Sequence, residues 1–99
     1  MSFIVLSYKK IREFSLIHPD ARGPLDRWYK IAEKANWANI SNTRQELPHA
    51  DAIGDYTCFN IGGNKYRLIT KINYKKKIIF IKHILTHSEY DKGHWKDDD

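Results

Sequence analysis

The chain has a single cysteine, Cys58, in 99 residues. One thiol closes no intrachain disulfide and builds no thiolate zinc cluster. That excludes a stapled secreted mini-protein and a zinc-finger-type module. The five His residues fall in no H-E-x-x-H or similarly tight metal-ligating spacing. No apolar run approaches the ~20 residues that a membrane-spanning helix needs. The opening Met-Ser-Phe-Ile-Val-Leu-Ser is too short for a signal peptide and lacks a cleavage site, so a reduced cytoplasm is the expected location. Internal repeats and linkers are missing as well.

Acidic residues are scarce over most of the chain. Lys and Arg number 17 against 12 Asp and Glu, a formal charge of +5. Three of those acids are the terminal Asp97-Asp98-Asp99, so residues 1–96 carry 17 positive and 9 negative groups, or +8. A body this basic points to polyanions, usually nucleic acid; plain solubilising charge is the alternative on composition alone. The length suits one compact domain burying roughly 60–65% of its unfolded surface. With 41% hydrophobic and 13% aromatic residues, the chain can fill a core, which argues against disorder.

Residues 3–6, Phe-Ile-Val-Leu, read as a buried strand. Ser7 then caps a helix whose apolar stripe is Tyr8, Ile11, Phe14 and Ile17, ended by His18-Pro19. A second helix starts near Pro24, with Leu25, Trp28, Ala32 and Ala35 inward and Arg27, Lys30 and Lys34 outward. Asn42 and Gln45 resemble a capping box and predict a short helix over 42–47, stopped by Pro48. His49 to Gly54 reads as a loop. From Asp55 the period becomes two. Residues 56–61 form a strand, Gly62-Gly63-Asn64 a hairpin turn, 65–73 a second strand, and 78–85 a third, central one. Thr86-His87-Ser88-Glu89 has the S/T-x-x-E pattern that opens a last short helix. The fold class is therefore α+β: an antiparallel sheet that takes in the first strand, with two N-terminal helices packed on one face.

Strand alternation sorts Lys65, Arg67, Ile69 and Lys71 onto the face the helices leave uncovered. Cations on rigid strands make a preorganised anion site, and Ile69 would be its apolar floor. Routine solvent-facing alternation predicts the same pattern. His87 and Tyr90, one helical turn apart, follow the central strand directly. An imidazole can act as acid or base, and a phenol can stack on a base or donate a proton. For each alone, capping and packing are the ordinary roles. Together, Arg, Lys, His and Tyr form the set that metal-free RNA cleavage requires: a cation on the phosphorane and a base for the 2′-OH proton.

The run Cys-Phe-Asn-Ile-Gly-Gly-Asn-Lys-Tyr-Arg-Leu-Ile (58–69), with Ile81 and then Leu-Thr-His-Ser-Glu-Tyr-Asp (85–91), closely resembles the HigB family of type II toxin–antitoxin systems. Arg-Trp-Tyr-Lys-Ile (27–31), Asn36-Trp37 and Asp91-Lys92-Gly93-His94-Trp95-Lys96 are similar to the family pattern too. The resemblance covers nearly the whole chain. It implies a small RelE-like domain over residues 1–99, helices on an antiparallel sheet. It implies an mRNA interferase that cleaves messages on translating ribosomes without a cofactor or metal. The products would carry a 2′,3′-cyclic or 3′-phosphate and a 5′-hydroxyl. It implies a HigA-type helix-turn-helix antitoxin as partner, with operator DNA bound only through the antitoxin complex, and a cytoplasmic location without membrane contact.

Carried over residue by residue, Asn60, Gly62, Gly63 and Asn64 match the family's turn. Arg67 matches the basic strand position expected to stabilise the scissile phosphate. His87 and Tyr90 match the C-terminal motif, expected to supply a base or acid and a stacking or proton-donating group. Lys71 rivals His87 as the base; Lys71, Lys82 and His83 match more loosely. Lys65, Asn64, Lys82 and His83 are expected to contact RNA. Cys58 stands where an apolar or aromatic residue is more usual and reads as a packed core residue. A non-cleaving RNA- or ribosome-binding module, or an inactivated toxin kept as an antitoxin partner, shares the same basic surface.

Overall fold

The computed structural model describes residues 2–97, so Asp98 and Asp99 of the acidic tail lie outside the described residues. The element order is β1 (Ile4–Leu6), α1 (Tyr8–Ile17), a 3-10 turn (Pro19–Ala21), α2 (Arg22–Lys34), α3 (Ile40–Glu46), β2 (Asp51–Ile53), β3 (Tyr56–Ile61), β4 (Tyr66–Asn73), β5 (Ile78–Thr86), α4 (His87–Lys92) and a second 3-10 turn (His94–Asp97). The five strands lie in the order β1-β5-β4-β3-β2. Pairing is antiparallel except that β1 joins β5 in parallel. This is the expected α+β class.

Helices α1 and α2 cover one face of the sheet. Leu25, Trp28 and Ala32 of α2, and Ala35 beyond it, are buried as the spacing predicts. They pack with Leu68, Ile79, Ile81, Phe59 and Ile61 of the sheet. Burying each large apolar side chain contributes about 1.5–3 kcal/mol. Helix α2 begins two residues before Pro24, because proline is tolerated inside a first turn whose N–H groups have no intrahelical acceptors. In α1 the stripe fails at its end: Ile11 is fully buried but Ile17 is 76% exposed. Each step of three residues falls about 60° short of a full turn, so by Ile17 the stripe faces about 180° away from Tyr8.

Two sequence expectations shift locally. The short helix spans Ile40–Glu46 and is capped by Asn39, whose Oδ1 accepts from the Asn42 N–H at 2.9 Å, while Asn42 Oδ1 accepts from Ala38 N–H at 3.0 Å. Asn42 thus serves as the reciprocal partner of the cap. Residues 51–53, expected as loop, pair with β3 through the Gly54-Asp55 turn. Gly54 sits at φ +58°, which glycine adopts without strain. In β5 one residue is extra: Ile69 pairs with His83 but Thr70 with Ile81, which leaves Lys82 in a bulge. The bulge turns Ile81 towards the helices and leaves His83 paired across from Ile69 on the other face. The expected central strand β5 does have neighbours on both sides, although β4 is the middle strand.

The second face is not bare. A smaller core forms there from Tyr56, Cys58, Ile69 and Trp95, with Ile53, Leu85 and Tyr90 packed against it. Trp95, brought back over the sheet by α4 and the turn after it, is 4% exposed and Ile69 fully buried. The expected open floor at Ile69 is therefore covered by the C-terminal segment. The Thr86–Glu89 capping box that starts α4 is present in full, and Gly93 ends the helix at φ +75°.

Candidate functional site

On the face away from α1 and α2, a cleft of about 430 Å³ opens between β3, β4, α4 and the segment joining α3 to β2. Its wall includes Arg44, His49, Asp51, Cys58, Asn60, Arg67 and Tyr90. Strand register sets part of this grouping, because Asn60 pairs with Arg67 and Cys58 with Ile69 across β3 and β4. Residues paired across two strands project from the same face.

Arg67 is half-buried and held in place. Its guanidinium donates to the Asn64 carbonyl at 3.2 Å, the Tyr66 carbonyl at 3.2 Å and Asn64 Oδ1 at 3.4 Å. It also lies 5.3 Å from the centroid of the Tyr90 ring. Tyr90 in turn stacks on Trp95 at 5.2 Å and 15° between planes, and its carbonyl accepts the Trp95 indole N–H at 3.1 Å. The small second core thus fixes the ring that backs the arginine. Arg44, from α3, donates through Nε to the Ala50 carbonyl at 2.9 Å and lies 4.0 Å from Asp51. Two guanidinium groups on one concave wall make an anion site, which Asp51 offsets in part.

Two groups in the cleft hold their protons tightly. Burial pushes the Cys58 thiol up to about 11, with nearby Asp51 adding to it. Cys58 is then a neutral thiol near pH 7 and not a nucleophile. The Tyr90 phenol is raised above its ordinary value by burial first, then by Cys58 and Asp51, against the opposing pull of Arg67. It remains a hydrogen-bond donor over the physiological range.

The remaining sequence-predicted residues are placed elsewhere. Lys65 does not share the Arg67 face: its Nζ meets Asp20 Oδ2 at 2.7 Å, and the Tyr66 hydroxyl donates to Asp20 Oδ1 at 2.6 Å. The pair ties the β3–β4 turn to the α1–α2 corner. Lys71 lies over the Tyr56 ring at 5.1 Å and lines a separate hollow with Asp55 and Lys96. The buried Ile69–Trp95 contact stands between that hollow and Arg67. His87 is outside the cleft. Its Nδ1 is 3.3 Å from Asp91 Oδ2, and its backbone N–H donates to the Lys65 carbonyl at 3.0 Å. Lys82 and His83 line a groove beside α1. Asn64 acts through Arg67, as above. The structure adds Arg44, His49 and Asp51, which sequence reading left unassigned. The hint at hand was Arg44 one turn into a capped helix, followed by Pro48-His49.

Among the described residues no group of three or more His, Cys, Asp or Glu side chains could hold a metal ion. No helix among them is long and apolar enough to cross a membrane.

A small α+β domain with a cationic cleft on the sheet face away from its main helices is the architecture of a basic, anion-binding module. The family comparison makes this specific. Residues 21–93 match the HigB toxin model, described as the RelE-like toxic component of a toxin–antitoxin system. The chain belongs to the HigB toxin family. It is also 28% identical over 91 residues to a protein named mRNA interferase HigB from Escherichia coli O6:H1 (strain CFT073), covering 89% of this chain and 88% of that protein. The chain is thus a toxin of a toxin–antitoxin system, and its family implies an antitoxin partner.

Proposed function

We propose that this toxin is an endoribonuclease that cleaves messenger RNA on translating ribosomes and is neutralised by a HigA-type antitoxin. The observation that carries the cleavage reading is the convergence of Arg44, Arg67, His49 and Tyr90 on one cleft. The relative named mRNA interferase HigB supports it.

In this reading the two guanidinium groups grip the scissile phosphate and offset charge developing on the phosphorane. The His49 imidazole takes the proton of the 2′-OH, whose oxygen attacks phosphorus. The bond from phosphorus to the 5′ oxygen breaks, leaving a 2′,3′-cyclic phosphate. Tyr90, protonated, donates to the departing 5′ oxygen, which leaves as a hydroxyl. His49 replaces His87 and Lys71 as the proposed base because it alone of the three lines the cleft. Its place beside the cleft on an exposed loop also lets it adjust when RNA arrives.

The test is induced expression with mapping of message ends. Wild type should arrest growth and generate new 5′-hydroxyl ends within coding regions. Arg67→Ala and His49→Ala should lose about 10²–10³ of the cleavage rate, the usual effect of removing one such group. His87→Ala should retain most of it. Arrest without new ends would leave a blocker of translation that does not cut. Full activity in folded Arg67→Ala would remove this cleft as the site.

A further inference from the structure

Beside the cationic cleft lies a second, mostly apolar hollow of about 250 Å³. Trp28 and Ile31 of α2, Leu47 and Phe59 form much of its lining. It shares Pro48, His49, Ala50 and Asn60 with the cleft, so the two are continuous across the segment before β2. Strand β2 begins at Asp51, paired with Cys58, so on its β2 side β3 has no strand neighbour from Phe59 to Ile61, and the hollow opens along that edge. Arg27 stands at its rim, exposed. Trp28 is 3% exposed, and its indole N–H has no hydrogen-bond partner among the described residues. A lining residue therefore carries an unanswered donor.

We infer that this hollow is a nucleobase subsite, in which one unstacked base next to the scissile phosphate is held while Arg44 and Arg67 hold the backbone. The inference rests on the endonuclease reading of the neighbouring cleft. An apolar slot with a few donors at its edge fits a base, which has two apolar faces and acceptor atoms on its rim. Single-stranded RNA is read in this way, by splaying a base out of the stack and meeting its edge. A peptide strand added to the sheet is the poorer fit. Only three residues of β3 are open there, and a typical strand runs to about five or six. The hollow would set sequence preference, and the cleft the chemistry.

The test uses purified full-length chain and labelled tetranucleotides of A, C, G and U, followed by anisotropy. Ile31→Phe and Leu47→Trp narrow the hollow from two walls, and Arg27→Ala removes its rim cation. Thermal denaturation confirms that each variant folds. Wild type should prefer one base, and the filling variants should flatten that preference by about tenfold, the usual scale for a pocket altered by a methylene or more. The base preference beside the cut in cells should flatten in parallel. Equal binding of all four oligonucleotides by wild type, or an unchanged preference in both filling variants, overturns the inference. So does a result in which the variants keep the preference but escape a co-expressed antitoxin, which assigns the hollow to a protein segment. Flattened binding in the variants with no cleavage by wild type sustains the subsite and removes the endonuclease reading instead.

Discussion

Trp95 joins the stability of the sheet's second face to the shape of the cleft, and Trp95→Ala should damage both. The ring is 4% exposed, stacks on Tyr90 at 5.2 Å and meets the Tyr56 ring edge-on at 5.4 Å. Truncating a buried tryptophan to alanine costs about 3–5 kcal/mol. A chain of this length has a total stability of about 5–15 kcal/mol, so the loss is about a fifth of it or more. With a urea m-value near 1.5 kcal/mol/M, a loss of about 4 kcal/mol moves the midpoint down by roughly 2–3 M. Because Trp95 packs in the smaller core, part of the effect should appear as early undocking of the C-terminal segment while the main core holds. Fluorescence of Trp28 and Trp37, both in the main core, then reports a later transition than proteolysis of the segment. Tyr90 loses its stacking partner, so cleavage should fall as well. Trp95→Phe keeps an aromatic ring but loses the N–H bond to the Tyr90 carbonyl and part of the packing, and should cost about 1 kcal/mol from that bond plus the smaller ring's lost contacts. A Trp95→Ala midpoint within about 0.5 M of wild type, with growth arrest intact, would refute the claim that this ring holds the site together.

Asp20 is held below the usual carboxylate range, first by the Lys65 ammonium and then by the Tyr66 hydroxyl. A depressed carboxylate stabilises the fold above its unfolded value, and that contribution is lost as pH falls through the folded value. Asp20→Asn should therefore flatten the decline in urea midpoint between about pH 5 and pH 2; identical declines would remove the tie from the turn. Cys58, with its thiol at about 11, should be alkylated only slowly in the folded state at neutral pH, and Cys58→Ala should still arrest growth. Abolished arrest in a folded Cys58→Ala variant would give the thiol a chemical role. Asn39→Ala removes the acceptor for the Asn42 N–H. It should cost about 1 kcal/mol in thermal stability and weaken cleavage through Arg44; unchanged cleavage would separate Arg44 from the chemistry. Arg67→Lys should fail to restore cleavage lost in Arg67→Ala, because an ammonium cannot reproduce the planar fork.

Much of the architecture could be read from periodicity. The inward face of α2, the hairpin between β3 and β4, and the capping box of α4 each have a local chemical signature, and each is where that signature puts it. The misses share a cause. A three-residue edge strand such as β2 has no period to detect, and its partner is chosen by the Gly54-Asp55 turn in three dimensions. The β5 bulge at Lys82 changes which face each later residue occupies, and nothing in a one-dimensional alternation marks the phase slip. Ile17 followed a spacing of three that drifts off the helix face by geometry alone.

The candidate site was legible where one strand carries it and illegible where separate elements meet. Arg67 and Tyr90 were found because a strand face and a helix turn each fix a direction. Lys65 and Lys71 were assigned to the same patch by alternation, yet each takes a neighbour that alternation ignores. Asp20 on another corner draws Lys65 away, and Tyr56 holds Lys71 beyond the Trp95 contact. Arg44 and His49 reach the cleft only because the segment after α3 folds back to pair as β2. Their positions depend on a helix cap at Asn39 and a turn at Gly54. The cleft's cations thus come from α3 and β4, and its imidazole from the loop between α3 and β2. That arrangement explains why basic composition alone left binding and solubility level. Charge becomes a site when the fold brings separate residues to one wall, and here three of the four groups proposed to act on RNA depend on two short elements, β2 and α4.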